Sequence, residues 1–140
     1  MTISVSEFKQ RFAALTLAGG GIPKRFEDRQ LLAASVVSRI EPGRVYNERE
    51  IGLVLVRWCN SFGWRFAVDH VDLRRMVVDM GLVYRNASGS EYRLIDESNA
   101  ELYDPAIREL DLEQVVQEAK DERERRKREY LRSQQKKEEV

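Results

Sequence analysis

The chain has 140 residues, 24 Lys plus Arg, 24 Asp plus Glu and a formal net charge of zero. That length holds one domain with one modest core, and the balance excludes a protein that is basic over its whole surface. The charge is nevertheless partitioned: residues 1–95 carry 14 basic and 10 acidic side chains, whereas residues 96–140 carry 10 and 14.

In chain order, the first segment, SEFKQRFAALTLA, places Phe8, Phe12 and Leu15 at helical spacing behind Ser4 or Ser6 as a cap. Three glycines at 19–21 end it. Residues 26–40 predict a second helix with Leu32, Val36 and Ile40 on one face, and the turn EPGR follows at 41–44. Residues 45–46 leave room for a very short strand. Asn47 with Glu50 has the spacing of a capping box, and Ile51, Leu55 and Trp58 form the stripe of a third helix. The aromatic stretch 61–68, SFGWRFAV, reads as irregular. Asp69 then caps a helix over 70–80 whose inward face is Leu73, Val77 and Met80, and Gly81 suits the left-handed position after it. LVYR and EYRLI flank NASGS, which predicts a β-hairpin over 82–95.

From Asp96 the composition shifts, with eight acids and one base over 96–119. This reads as an acidic linker leading into a charged helix over 110–134. Leu110, Leu112, Val115, Val116 and Ala119 give that helix a short apolar stripe. The stripe is expected to pack on the domain, on a second subunit as a homodimer contact, or on a protein partner. Residues 120–140 are expected to project into solvent and fray toward Val140, because apolar positions too sparse for a zipper remain there.

The order of helix, short strand, helix, helix, strand, strand is that of a winged helix-turn-helix. The expected fold class is therefore α+β, mainly α, with three regions: an N-terminal helix at 1–19, the winged helix-turn-helix domain at 20–95, and the acidic linker and charged C-terminal helix at 96–140. In such a domain the last helix before the hairpin is the one available to a major groove.

The same stretch resembles the bacterial family of uncharacterised domains DUF2087. The matching positions are Pro23 and Lys24; Gly43, Arg44 and Tyr46; Glu48, Glu50 and Ile51. They continue with Asp69, Leu73, Arg74 and Arg75; Asp79, Gly81 and Leu82; and Tyr92 and Arg93. The resemblance covers about residues 20–95 and implies a winged-helix-like module of the kind often attached to transcriptional regulators.

The functional expectation is a transcriptional regulator that contacts duplex DNA through 70–80 and the hairpin 82–95. Arginine forks match phosphate oxygens and the guanine edge. The candidate contacts are Arg74, Arg75, Arg85, Arg93, Lys24, Arg44 and His70. Adjacent helical residues point about 100° apart, so one of Arg74 and Arg75 can instead brace the fold against Glu48, Glu50 or Asp79. The alternative is a protein–protein module using the winged-helix surface and the C-terminal helix. No acid/base set, metal-ligand spacing or phosphate loop is readable, so no catalysis and no cofactor are expected. His70, the one histidine, reads as a surface or capping residue, and Cys59, the one cysteine, as a small core residue. No signal peptide is read at the N-terminus and no apolar run approaches the roughly 20 residues that span a bilayer, so a cytoplasmic location without membrane attachment is expected.

Overall fold

The computed structural model describes residues 2–139. Six α-helices and one hairpin fall within them: α1 (Val5–Ala18), α2 (Phe26–Val37), α3 (Glu48–Phe66), α4 (His70–Asp79), β1 (Val83–Arg85), β2 (Tyr92–Leu94), α5 (Asp96–Leu102) and α6 (Leu112–Glu138), with a 3-10 turn at Pro105–Glu109 between the last two helices. The fold is α+β and mainly helical, and α2 through β2 follow each other in winged-helix-like order.

The central element is α2. Residues 31–37 are buried all round, because α1, α4 and α5 pack against it. A helix apolar on every side belongs in the interior of a bundle. Its one polar side chain deep inside, Ser35, accepts the Trp58 indole N–H at 3.1 Å and donates to the Leu32 carbonyl, which joins α2 to α3 without an unmet polar group. Ser4 caps α1, the expected capping box of Asn47 with Glu50 forms, and the expected cap Asp69 makes a capping box as well, with Asp72.

The structure departs from expectation in two places and decides between alternatives in a third. The segment 61–68 is not irregular: α3 continues through it to Phe66, because Phe62 and Phe66 extend the buried row of Ile51, Leu55 and Trp58. Gly63 permits this, since a Cβ there would lie 3.0 Å from the Val68 carbonyl and 3.1 Å from the Cys59 Cβ. The turn into α4 is then closed by Ala67 in the left-handed region, at φ 51°. Second, residues 96–109 are not a linker. They carry α5 and the 3-10 turn, and Leu102, Tyr103 and Ile107 are buried in the same core as Phe8 and Phe12 of α1. Third, of the placements expected for the stripe at 110–119, the domain itself is the one that covers it. Leu112 and Val115 are buried, and α6 packs along α1. Beyond Ala119 the helix is exposed on nearly all sides and runs to Glu138; fraying at Val140 lies outside the described residues.

Two arginines lock this C-terminal region to α2. The half-buried Arg39 guanidinium donates to the carbonyls of Leu110 at 2.8 Å and of Ile107 and Arg108 at 3.1 Å. In return Arg108 donates to the carbonyls of Ile40 at 2.8 Å and Val37 at 3.4 Å. Each arginine thus caps the carbonyl end of the other's segment, where a cation is favoured. Burial, and then the nearness of Arg108, lower the Arg39 pKa from its ordinary value. The surrounding carbonyls satisfy the charge in place of a carboxylate. Arg39→Ala takes the donor from the Leu110 and Arg108 carbonyls, while Ile107 keeps the Leu110 N–H, and should cost about 1–3 kcal/mol. Deleting 120–140, whose exposed ion pairs contribute about 0.3–0.5 kcal/mol each, should leave the melting temperature within a few degrees. Denaturant and thermal melts of the two variants check the contrast.

Tyr103 supplies a pH signature. Its ring is buried, its hydroxyl donates to Asn99 Oδ1 at 3.0 Å, and burial pushes its pKa from 10.0 up to about 12. The folded state therefore favours the neutral phenol. Its stabilising share is complete below pH 10 and is lost as pH rises through about 12. Unfolding midpoints measured across that window should fall more steeply for the wild type than for Tyr103→Phe. Parallel curves would contradict this assignment.

Candidate nucleic-acid interface

The face to consider is formed by α4 and the hairpin. On α4, Leu73 and Val77 point into the core, so Val71, Arg74, Arg75 and Val78 turn outward. The hairpin pairs Val83 with Leu94, Tyr84 with Arg93 and Arg85 with Tyr92. Successive strand residues alternate faces, so Arg85 and Tyr92 share one face while Tyr84 and Arg93 share the other.

Tyr92 connects the parts. Its backbone exchanges two hydrogen bonds of 2.8 Å with Tyr46, the residue expected to form a short strand, which here forms a single antiparallel bridge. Its hydroxyl accepts Arg85 Nε–H at 3.2 Å, and its ring lies 5.8 Å from the Arg74 guanidinium. Arg85 is further placed by the wing loop. Its Nη1 donates to the Asn86 carbonyl at 3.4 Å, and its guanidinium lies over Gly89, where a Cβ would come within 2.5 Å of Nη2. The loop is held by the Asn86 side chain, which accepts the Ser90 and Glu91 N–H groups at 2.9 and 3.1 Å.

The result is a depression of about 330 Å³ lined by Val71, Arg74, Arg75, Val78, Asp79 and Arg85. Three of the seven candidate contacts therefore meet at one place. Arg74 is the bracing member: it is half-buried and pairs with Glu48 at 3.2 Å. Arg75 is exposed and has no ion-pair partner among the described residues. Asp79 is the one carboxylate in the lining. Asp72, on the same helix, is committed to its capping box and accepts the Asp69 N–H at 3.3 Å.

The remaining candidates sit elsewhere. Arg44 stacks on Tyr46 and pairs with Glu50 at 3.1 Å and Glu41 at 3.7 Å; the Glu50 hydrogen bond raises its pKa, and its charge is answered locally. Arg93 lies over Tyr84, 4.7 Å from the ring centre, on the far face of the hairpin. Lys24 is exposed in the loop ahead of α2, outside the lining of the depression. His70 opens α4, half-buried, one turn before Arg74. Cys59 is half-buried, and burial together with the nearby Asp69 and Asp72 charges raises its thiol pKa, which makes it a poor nucleophile.

The family model that matches is DUF2087, described as an uncharacterised protein conserved in bacteria, and it covers residues 20–94. The chain belongs to this family. No curated protein and no solved structure matches. The DUF2087 match runs from the glycine loop ahead of α2 to the end of β2, so it contains every residue of the depression. It also contains Tyr46 and Tyr92, whose bridge positions the wing. Sequence reasoning placed Tyr46 in a very short strand and Tyr92 in the hairpin but did not pair them. Two isolated tyrosines 46 residues apart carry no local signal of pairing.

Proposed function

We propose that the protein binds duplex DNA as a transcriptional regulator, with α4 presented to the major groove and the β1–β2 hairpin beside it. The observation that supports this most is Arg75, an exposed, unpaired guanidinium on the outward face of α4, next to Arg85 across a shared depression. An α-helix with its side chains is about 10–12 Å across, which suits entry of α4 into a groove about 12 Å wide. Arg74, tied to Glu48, positions the helix against α3 rather than reaching out. Asp79 opposes a polyanion and would favour a contact in which it faces a base-edge donor instead of a phosphate.

A second reading, a protein-interaction module, draws on a different surface. On α3, Leu53 and Trp64 are 54% and 71% exposed and lie on one stripe with Arg57. Large apolar side chains this exposed are common anchors of protein contacts.

Salt titrations with mixed-sequence duplexes distinguish the two. The wild type should bind at low salt with log K falling linearly in log salt. Arg75→Ala should weaken binding and lower the slope by about one. Arg74→Ala should keep most of the affinity and cost about 0.2–1 kcal/mol of stability, as an exposed pair does. An Arg75→Ala curve that overlays the wild type overturns the contact through α4, and no affinity at low salt overturns the DNA reading and leaves the α3 surface as the site to pursue.

A further inference from the structure

Only the first two turns of α6 are held by the body of the molecule. Leu112 and Val115 are buried and Val116 and Ala119 half-buried, after which nearly every side chain is exposed. Residues three and four apart share a helix face. The stripe that begins with Leu112, Val116 and Ala119 therefore continues as Arg123, Arg126, Lys127, Tyr130, Gln134 and Lys137. From Arg123 to Lys137 no carboxylate falls on that continuation, and Glu138, four residues after Gln134, borders its far end. The other acids of the same stretch, Asp121, Glu122, Glu124 and Glu129, turn to other sides at about 100° per residue.

The charge balance also reverses at this point. Residues 96–119 carry eight acids and one base, while 120–138 carry nine bases and five acids. The acid surplus of the C-terminal third thus belongs to its docked part, and the projecting arm is basic. Within the arm, Glu122 pairs with Arg125 and Arg126, and Glu129 with Arg125. Arg123, Lys127 and Lys137 have no ion-pair partner among the described residues.

Two simpler roles fit this pattern poorly. A helix that served only as a spacer would be supported equally well by acid–base pairs distributed around it, and would not need a face without acids from Arg123 to Lys137. A second copy docking along the same stripe would set Arg123, Lys127 and Lys137 against like charges. A lipid surface is disfavoured too, because Tyr130 is the sole apolar side chain on that face and interfacial helices bury an apolar one.

We propose that the basic face of α6 from Arg123 to Lys137 is a second binding site, for the sugar-phosphate backbone of the DNA duplex. This rests on the proposed DNA binding by α4 for the identity of the polyanion, although the arm's own residues carry the contact. From Arg123 to Lys137 the face extends about 21 Å at roughly 1.5 Å per residue. A duplex presents one charge per about 1.7 Å of axis, so Arg123, Lys127 and Lys137 on this face can meet phosphates at once. The Tyr130 hydroxyl adds a neutral donor of the kind that contacts phosphate oxygens.

The test is the full chain carrying Arg123→Gln, Lys127→Gln and Lys137→Gln together, titrated with salt on the same duplexes. Circular dichroism confirms that α6 persists, and a second variant, Lys127→Arg with Lys137→Arg, keeps the charge. The triple variant should bind at least tenfold more weakly at moderate salt, with a slope lower by about two to three, and the arginine variant should match the wild type. Wild-type affinity and slope in the triple variant overturn the proposal. If Arg75→Ala still weakens binding in that case, the α4 reading stands alone. If the triple variant abolishes binding while Arg75→Ala changes nothing, the arm stands and the α4 reading fails. An arm effect seen with anionic phospholipid vesicles and not with DNA also overturns the proposal.

Discussion

A hairpin of two three-residue strands is not stable by itself, and the candidate interface exists only because Tyr92 anchors it. The tyrosine ring is fully buried, and its backbone is bridged to Tyr46 at the start of α3. The same residue accepts the Arg85 guanidinium on its hydroxyl and carries Arg74 over its ring. One side chain therefore sets the distance between wing and helix and the placement of two cations. Arg75, held by neither Tyr92 nor an acid, is left to face solvent between them.

The anchoring of the rest of the molecule is equally local. The stretch shared with DUF2087 ends at residue 94, yet the core it belongs to is completed from outside it by Phe8 and Phe12 of α1 and by Ile107 and Leu112. The reciprocal caps of Arg39 and Arg108 fasten the later segment to the carbonyl end of α2. A short parallel bridge between Ile3 and Tyr103 joins the two outlying segments to each other. α6 consequently leaves from a fixed base, and its charged length is aimed by packed residues behind it.

What could be read from the sequence was whatever rests on local chemistry. The capping boxes at Asn47 and Asp69 are pairs of polar side chains three residues apart. The hairpin shows itself through NASGS, and the inward face of α4 through Leu73 and Val77. The missed features have a different physical origin. The continuation of α3 was concealed by Gly63 and a run of aromatics, although Trp58, Phe62 and Phe66 repeat at helical spacing. α5 and the 3-10 turn were hidden by acids surrounding the few buried residues Leu102, Tyr103 and Ile107. The start signal at Asp104 and Pro105 was present in the sequence. Arg39 and Arg108 act on backbone carbonyls, which every residue possesses, so nothing in the residue types announces their partners. The division of the arginines into bracing and exposed members depended on which acids the fold brings near: Glu48 to Arg74, Glu41 and Glu50 to Arg44, none to Arg75.

The most direct test of a single surface built from α4 and the wing is an amide and arginine Nε–H NMR titration of the full chain with a short duplex at two salt concentrations. The shifts should concentrate at residues 71–79 and 85–91, with Arg75 and Arg85 Nε–H among the largest, and should shrink at the higher salt. Shifts centred instead on Leu53 and the Trp64 indole, or none at the lower salt, would contradict it.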